Sequence, residues 1–183
     1  MRTVALITVF VVLAGVFCGG KTGSQTNKPA AAVKWSAEAT GTLTEAEIAQ
    51  FVKVLPTFSA ALKAGNWTPT LPKEDAGPVG SLTTYVEGMN TPGVEESLKT
   101  AGSDWSTLRA TLYKVFAASA ALNVDMAPPQ MIEEMKKDTS AAAKKGLKDY
   151  EVFKAACTQI PVANKQMVSN HQQELQALQT LGR

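Results

Sequence analysis

The chain has 183 residues, of which 45% are apolar, 7% aromatic and 19% charged, and its formal net charge is +2. That length and composition predict one domain with a substantial hydrophobic core and exclude a wholly disordered chain. The near-neutral charge argues against a nucleic-acid binder, and two cysteines with one histidine are too few for a multi-cysteine zinc site or a disulfide framework.

The beginning of the chain carries the features of an export signal. Arg2 precedes a mostly apolar run from Val4 to Cys18, and two glycines follow it. This run of 15 residues is shorter than the roughly 20 needed to span a bilayer, and no basic stop-transfer cluster follows. We therefore expect residues 1–20 to be a signal peptide and the protein to be exported.

The end of this leader resembles that of bacterial lipoproteins, in which a short apolar segment leads to a cysteine that becomes lipidated. Cys18 and the polar stretch from Lys21 fit the pattern, whereas Gly15 and Phe17 depart from the motif of that family. The resemblance implies a lipid anchor on Cys18 that holds the protein on a membrane. Simple secretion, with cleavage before Gly19 or Lys21, and an uncleaved signal are the open alternatives, so a periplasmic or secreted protein is also expected.

Residues 21–42 have no apolar period and are rich in glycine, serine, threonine, lysine and alanine, which predicts a flexible tether. Trp35 is the one large apolar side chain in this segment, and we expect it to dock on the folded domain. Residues 43–183 then form a predicted helical domain.

The first long helix of that domain is predicted to begin after Thr44. Thr44 and Glu47 have the spacing of a capping box, in which each side chain bonds the other residue's backbone amide. Gly65 ends the element. Its apolar side chains recur at helical spacing at Ile48, Phe51, Val52, Leu55, Phe58 and Leu62.

Shorter helices are predicted next. Residues 81–90 have β-branched side chains, but no partner strand is apparent, so a short helix is expected there. Thr91 as N-cap and Pro92 in the first turn predict a compact helix that stops at Gly102.

A long helix is predicted to start near Asp104. Its buried side would be lined by Trp105, Leu108, Leu112, Val115, Phe116 and Ala120. After Pro128 and Pro129 the helical period resumes, and Gly146 is expected to divide that region in two. Asn164 can cap the last helix, where Val168, His171, Leu175 and Leu178 repeat as a packing seam.

Lysines in the region after Pro129 are interleaved with acidic side chains at helical spacing. Met131, Ile132 and Met135 are expected to face inward. The lysines are Lys136, Lys137, Lys144, Lys145 and Lys148, and the acids are Glu133, Glu134, Asp138, Asp149 and Glu151. This pattern is typical of a solvated face with weak ion pairs rather than of a surface that contacts membrane headgroups or an acidic polymer.

Together these segments predict an all-α fold, an antiparallel bundle of four to six helices whose apolar stripes each occupy one side of a helix. The short Pro/Gly connections favour antiparallel neighbours.

Two side chains are candidates for chemistry, and each has a simpler structural interpretation. His171 lies on the last apolar seam near Glu174, which is too small a ligand set for a metal, so a hydrogen-bonded core or boundary histidine is expected. Cys157 lies among alanines and Ile160, and is expected to be a small buried side chain rather than a nucleophile. No catalytic constellation, cofactor motif or metal site is predicted.

Two functional hypotheses follow. The first is a non-enzymatic envelope protein whose helical domain binds another protein or a peptide, with no nucleic acid involved. The second is a periplasmic binder or enzyme that holds a small apolar molecule between helices. Its pocket would be lined by Phe51, Phe58, Trp105, Phe116, Tyr150 and Phe153.

Overall fold

The computed structural model describes residues 34–70 and 77–181, so Cys18 and the whole leader lie outside the described residues. Every regular element within those ranges is helical, which confirms the all-α class. None of these helices is long and apolar enough to cross a membrane. The α-helices are α1 Ala37–Thr40, α2 Glu45–Ala64, α3 Gly77–Gly88, α4 Val94–Thr100, α5 Trp105–Asp125, α6 Pro129–Lys137, α7 Ala141–Cys157 and α8 Val162–Asn170, and a 3₁₀-helix spans Glu174–Thr180.

The long helix α5 is the centre of the described fold. It starts at Asp104, whose carboxylate accepts a hydrogen bond of 2.8 Å from the amide of Thr107. It packs against α1, α2, α3, α4, α7 and α8. Buried side chains therefore surround it, so the expectation of a one-sided stripe is wrong for this helix. Alanines at 117, 118 and 121, each fully buried, let neighbouring helices approach it closely.

The predicted capping box at the start of α2 is confirmed. The amide of Glu47 donates to Thr44 Oγ1 over 3.2 Å, and the amide of Thr44 donates to Glu47 Oε2 over 2.8 Å. Burial by itself raises the pKa of Glu47, but hydrogen bonds from Lys114 and Thr44 outweigh it and lower the pKa below the ordinary value. The cap thus also joins α2 to α5 through Lys114.

The start of α4 differs from the prediction. Its N-cap is Gly93, at φ 89°, and not Thr91. A left-handed backbone at this position favours glycine, so the helix begins two residues later than a cap at Thr91 would place it. Val94 and Leu98 are fully buried, and Gly102 follows the helix at φ 76°.

The division between α6 and α7 also differs from the prediction. Gly146 lies inside α7, and the break falls at residues 138–140 instead. There Asp138 Oδ1 accepts from the amide of Ser140 over 2.8 Å, and Ser140 Oγ accepts from the amide of Ala143 over 3.1 Å. These local side-chain bonds end one helix and cap the next, whereas a single glycine is tolerated inside a helix.

Helix α6 is less buried than its pattern indicated. Met131, Ile132 and Met135 are half-buried rather than inward-facing in a core, and no residue of α6 is buried. The charged face is solvated as expected, with exposed ion pairs between Lys136 and Glu133 and within α7.

The last predicted helix is divided into α8 and the 3₁₀-helix. The described ranges contain eight α-helices, more than the predicted four to six. Its N-cap is Pro161, so the prediction that Asn164 caps it is wrong. Asn164 is fully buried instead. Its Oδ1 accepts from the amide of Leu43 and its Nδ2 donates to the carbonyl of Gly41, each over 2.8 Å.

Packing on the domain begins at Trp35, inside the segment whose composition indicated a tether. The Trp35 indole Nε1 donates to the carbonyl of Ala156 over 3.1 Å, and the ring lies 6.0 Å from that of Phe153. The expected docking of Trp35 is therefore confirmed. Ala39 in α1 is also fully buried, and Glu38 accepts a 2.6 Å bond from Arg109 of α5.

Replacing Trp35 by phenylalanine is expected to lower the free energy of unfolding by about 1 kcal/mol, the usual net contribution of one hydrogen bond. The cost stays small because the carbonyl of Ala156 also accepts from the amide of Gln159 over 3.0 Å. Urea unfolding measures this loss in the free energy of unfolding. Trp67→Phe is the matched control, since Trp67 is equally buried but its Nε1 has no hydrogen-bond partner among the described residues. Equal losses in both variants would contradict this role of the indole bond.

Candidate functional site

A small cleft opens between the C-terminal half of α5, helix α8 and the 3₁₀-helix. Its volume is about 80 Å³. The lining residues are Phe116, Ser119, Leu122, Asn123 and Met126 from α5, Val168 and Ser169 from α8, and Gln172, Leu175 and Leu178 from the segment that follows. The cleft is therefore built by two parts of the chain that are about 50 residues apart, held together because α8 packs on α5.

The inner surface of the cleft is mainly apolar, and its edge is exposed. Val168, Leu175 and Leu178 are buried side chains that face it. Met126 is 54% exposed, one of two large hydrophobic side chains so exposed in the described part of the chain. A methionine at the edge of an apolar cleft is flexible and polarizable, and adapts to different apolar groups.

Asn123 places a polar group in this apolar environment. The residue is 8% exposed, it lines the cleft, and its side chain has no hydrogen-bond partner in the described ranges. The neighbouring Ser119 hydroxyl, in contrast, donates to the carbonyl of Val115 over 2.8 Å. The amide of Asn123 is not among the fully buried unpaired polar groups of the described chain, so it can offer a donor and an acceptor to a molecule in the cleft.

His171 lies beside the cleft, at the end of α8. Its Nε2 is 3.1 Å from Glu45 Oε2 at the start of α2, and its Nδ1 is 3.2 Å from Glu174 Oε2 in the 3₁₀-helix. The side chain of His171 is about 25% exposed, at the boundary of the domain. The contact with Glu174 can be predicted from the sequence because Glu174 lies three residues after His171, whereas the contact with Glu45 depends on the fold. His171, Glu45 and Glu174 together form a small polar cluster at the boundary of the domain.

Cys157 lies away from this group, at the end of α7, where it is 3% exposed and not in a disulfide. Burial raises the pKa of its thiol to about 12, and the nearby carboxylate of Asp125 adds to the effect. The thiol is therefore protonated at neutral pH, which is the state of an inert buried cysteine rather than of a nucleophile.

Alkylation of Cys157 by iodoacetamide at about pH 8 is expected to be at least about 100-fold slower in the folded protein than in guanidinium chloride, because the thiolate is the reacting species. Peptide mass spectrometry measures the rate of alkylation at Cys157. Because the raised pKa favours proton binding in the folded state, the free energy of unfolding should also fall as the pH rises from 9.0 toward about 12. Cys157→Ala should lessen that fall, and equal alkylation rates in both states would contradict the buried-thiol assignment.

The aromatic side chains proposed for an apolar ligand pocket lie mainly in the core of the described chain. Four are buried in the core, namely Phe51, Phe58, Phe116 and Phe153. They contact other rings, such as Phe58 with Trp105 at 6.4 Å and Phe116 with Tyr85 at 5.6 Å. Of the proposed set, Phe116 alone lines the cleft described here.

Metal ligands are likewise not assembled in the described part of the chain, where no three His, Cys, Asp or Glu side chains form a group that could hold an ion. Sequence reasoning overlooked Asn123, Met126 and Gln172. Asn123 could have been noticed as a lone amide in a mainly apolar stretch of α5. That this amide has no hydrogen-bond partner among the described residues depends on the fold.

Comparison of the chain with protein-family models, with curated proteins and with solved structures found no match.

Proposed function

We propose that this is a non-enzymatic, exported or lipid-anchored bacterial envelope protein whose helical domain, an antiparallel bundle, binds a protein or peptide partner in the cleft. The observation that carries the proposal is the side chain of Asn123, which has no hydrogen-bond partner among the described residues and lines a mainly apolar cleft. An extended peptide supplies what this site lacks, namely an apolar side chain next to a backbone N–H and C=O.

The size of the cleft favours a peptide over the alternative of a small apolar ligand or substrate. Its volume of about 80 Å³ lies well below the roughly 300–1,000 Å³ of sites that enclose drug-sized molecules. A cavity of about 150 Å³ is one that admits benzene. The cleft therefore suits one apolar side chain, with the rest of the partner outside it.

The edge of the cleft supports a partner that stays largely on the surface. The exposed thioether of Met126 and the exposed Ser169 lie on opposite sides, on α5 and α8. Met126 can pack along the inserted side chain, while Asn123 bonds the adjacent backbone. Cofactors and catalytic residues have no part in this proposal.

A peptide library displayed on phage tests whether the cleft binds a peptide. We expect peptides selected on the purified protein to share one apolar residue, and their affinity to fall at least about tenfold in Asn123→Leu, about 1.4 kcal/mol. Because the side chain of Asn123 makes no hydrogen bond to the described residues, leucine removes no such bond and the thermal midpoint should stay nearly unchanged. Asn90→Leu, at an exposed asparagine remote in sequence, is the matched control. Failure to select any peptide, or equal affinity for both variants, would overturn the proposal.

Export and anchoring form a separate part of the proposal, supported by the leader sequence. Mass spectrometry of the mature N-terminus from cell envelopes is the test. A lipidated Cys18 is expected for the anchored form, and a free terminus at Gly19 or Lys21 for the secreted form. A mature protein that retained residues 1–20 within the cytoplasm would contradict both.

A further inference from the structure

The cleft carries a second side-chain amide besides that of Asn123. Gln172 lies in the turn between α8 and the 3₁₀-helix, it lines the cleft, and its side chain is half-buried. This side chain has no hydrogen-bond partner in the described part of the chain. Asn123 and Gln172 therefore bring one uncommitted carboxamide from each of the two parts of the chain that build the cleft.

The lining of the cleft carries no charge. Within residues 34–70 and 77–181, every side chain that lines it is apolar, a hydroxyl or an amide. The charged pair of Lys165 with Asp125 joins α8 to α5 over 2.7 Å, so these two groups already neutralise each other. A charged side chain that entered the cleft would lose its hydration and gain no counter-charge. The residue of a partner that enters is therefore neutral.

Two carboxamides suit a peptide backbone in particular. Each one has a donor and an acceptor, as a peptide group has, so it can bond the N–H and C=O of a partner. A helical partner has already used these backbone groups within its own helix, and would leave Asn123 and Gln172 unpaired. Helices that dock in grooves also need several apolar anchors, whereas this cleft has room for one side chain.

The length of the cleft matches a short extended segment. Phe116 and Met126, at the two ends of the α5 wall, lie about 15 Å apart at about 1.5 Å per residue of helix. An extended chain advances about 3.3 Å per residue, so roughly four or five residues cover this distance. The peptide groups before and after an inserted side chain therefore both fall within the cleft.

We propose that the cleft binds an extended, uncharged segment of its partner from both sides. One aliphatic side chain enters the cleft, Asn123 bonds a peptide group on one side of that residue, and Gln172 bonds a peptide group on the other side. Gln172 is thus a specificity-determining residue. This inference rests on the proposed peptide-binding function and adds the second hydrogen-bonding arm, the extended conformation and the neutral charge of the bound segment.

A minimal probe tests the two-sided contact directly. N-acetyl-leucine N-methylamide has one aliphatic side chain between two peptide groups and no charge. Heteronuclear NMR of the purified protein follows the side-chain amide resonances of Asn123 and Gln172 during its titration. We expect both resonances to shift along one saturation curve. N-acetyl-leucine, whose second peptide group is replaced by a carboxylate, should bind at least about tenfold more weakly, because the cleft offers no counter-charge.

An ester analogue separates the two arms. N-acetyl-leucine methyl ester replaces one N–H of the probe by oxygen, and should bind the unchanged protein at least about fivefold more weakly than the amide. This ratio should fall toward one in either Asn123→Leu or Gln172→Leu and persist in the other, because each side chain bonds a different peptide group. Gln176→Leu, at an exposed glutamine of the 3₁₀-helix that does not line the cleft, is the matched control and should keep the ratio.

The outcomes distinguish this inference from the proposed function. A ratio that changes in neither variant or is lost in both, or a probe that shifts the resonance of Asn123 alone or of neither residue, would overturn two-sided binding. Phage-selected peptides that lose affinity in Asn123→Leu and keep it in Gln172→Leu would also overturn it and leave the peptide site standing. Failure to select any peptide, with neither resonance shifted by the probe, would overturn the function and this inference together.

Discussion

Replacing Asn164 by alanine is expected to lower the free energy of unfolding by about 3 kcal/mol. The amide of Leu43 and the carbonyl of Gly41 each lose a hydrogen bond of 2.8 Å, at a site where the asparagine is fully buried. The bond to Leu43 is buried, so the amide of Leu43 stays unpaired in the variant, whereas the carbonyl of Gly41 belongs to a half-buried residue. Urea unfolding followed by circular dichroism measures the loss.

Two further variants make the Asn164 prediction specific. Asn164→Asp keeps an acceptor for Leu43 but places an oxygen against the carbonyl of Gly41, so it should be at least as destabilising as alanine near neutral pH. Asn170→Ala, at an exposed position of the same helix, should change the stability by less than about 0.5 kcal/mol. A small effect of Asn164→Ala would show that residues 41–43 are held by other contacts.

Replacing Leu112 by alanine is expected to lower the free energy of unfolding by about 2–5 kcal/mol, the range for large-to-small changes in a well-packed core. Leu112 is fully buried in α5, the helix that contacts six others, so the neighbours can close the resulting cavity only by moving several elements together. Leu112→Met, which conserves volume, should cost less than about 1.5 kcal/mol. Similar losses for both variants would contradict the tight packing of α5.

Much of the helical architecture is predictable because its signals are local. The spacing of Thr44 and Glu47 fixes the start of α2, and Asp104 fixes that of α5 through a side-chain bond to a residue three positions later. The wrong predictions concern residues whose local sequence pattern is compatible with two different structural roles. An asparagine shortly after Pro161 has the appearance of a helix cap, yet Asn164 bonds backbone groups that are more than 120 residues away along the chain.

The candidate site is less predictable for the same physical reason. The sequence around Asn123 does not reveal that its amide has no hydrogen-bond partner among the described residues. That depends on which residues of α8 and the 3₁₀-helix lie opposite. The sequence placed His171 on a packing seam next to Glu174, but its second carboxylate, Glu45, lies 126 residues earlier. Contacts of this range carry no periodicity, so a pattern along the chain cannot reveal them.

The bonds from Trp35 to Ala156 and from Asn164 to Leu43 each close a loop of 121 residues, nearly the whole described length. Loop closure of that size costs conformational entropy before any contact repays it, so folding should be slow for an all-helical protein. A chain that emerges from the ribosome with its N-terminus first cannot form the Trp35 bond until α7 has been made, or the Asn164 bond until α8 has been made. The packing of residues 35–43 can therefore be completed only after the chain has been made as far as residue 164.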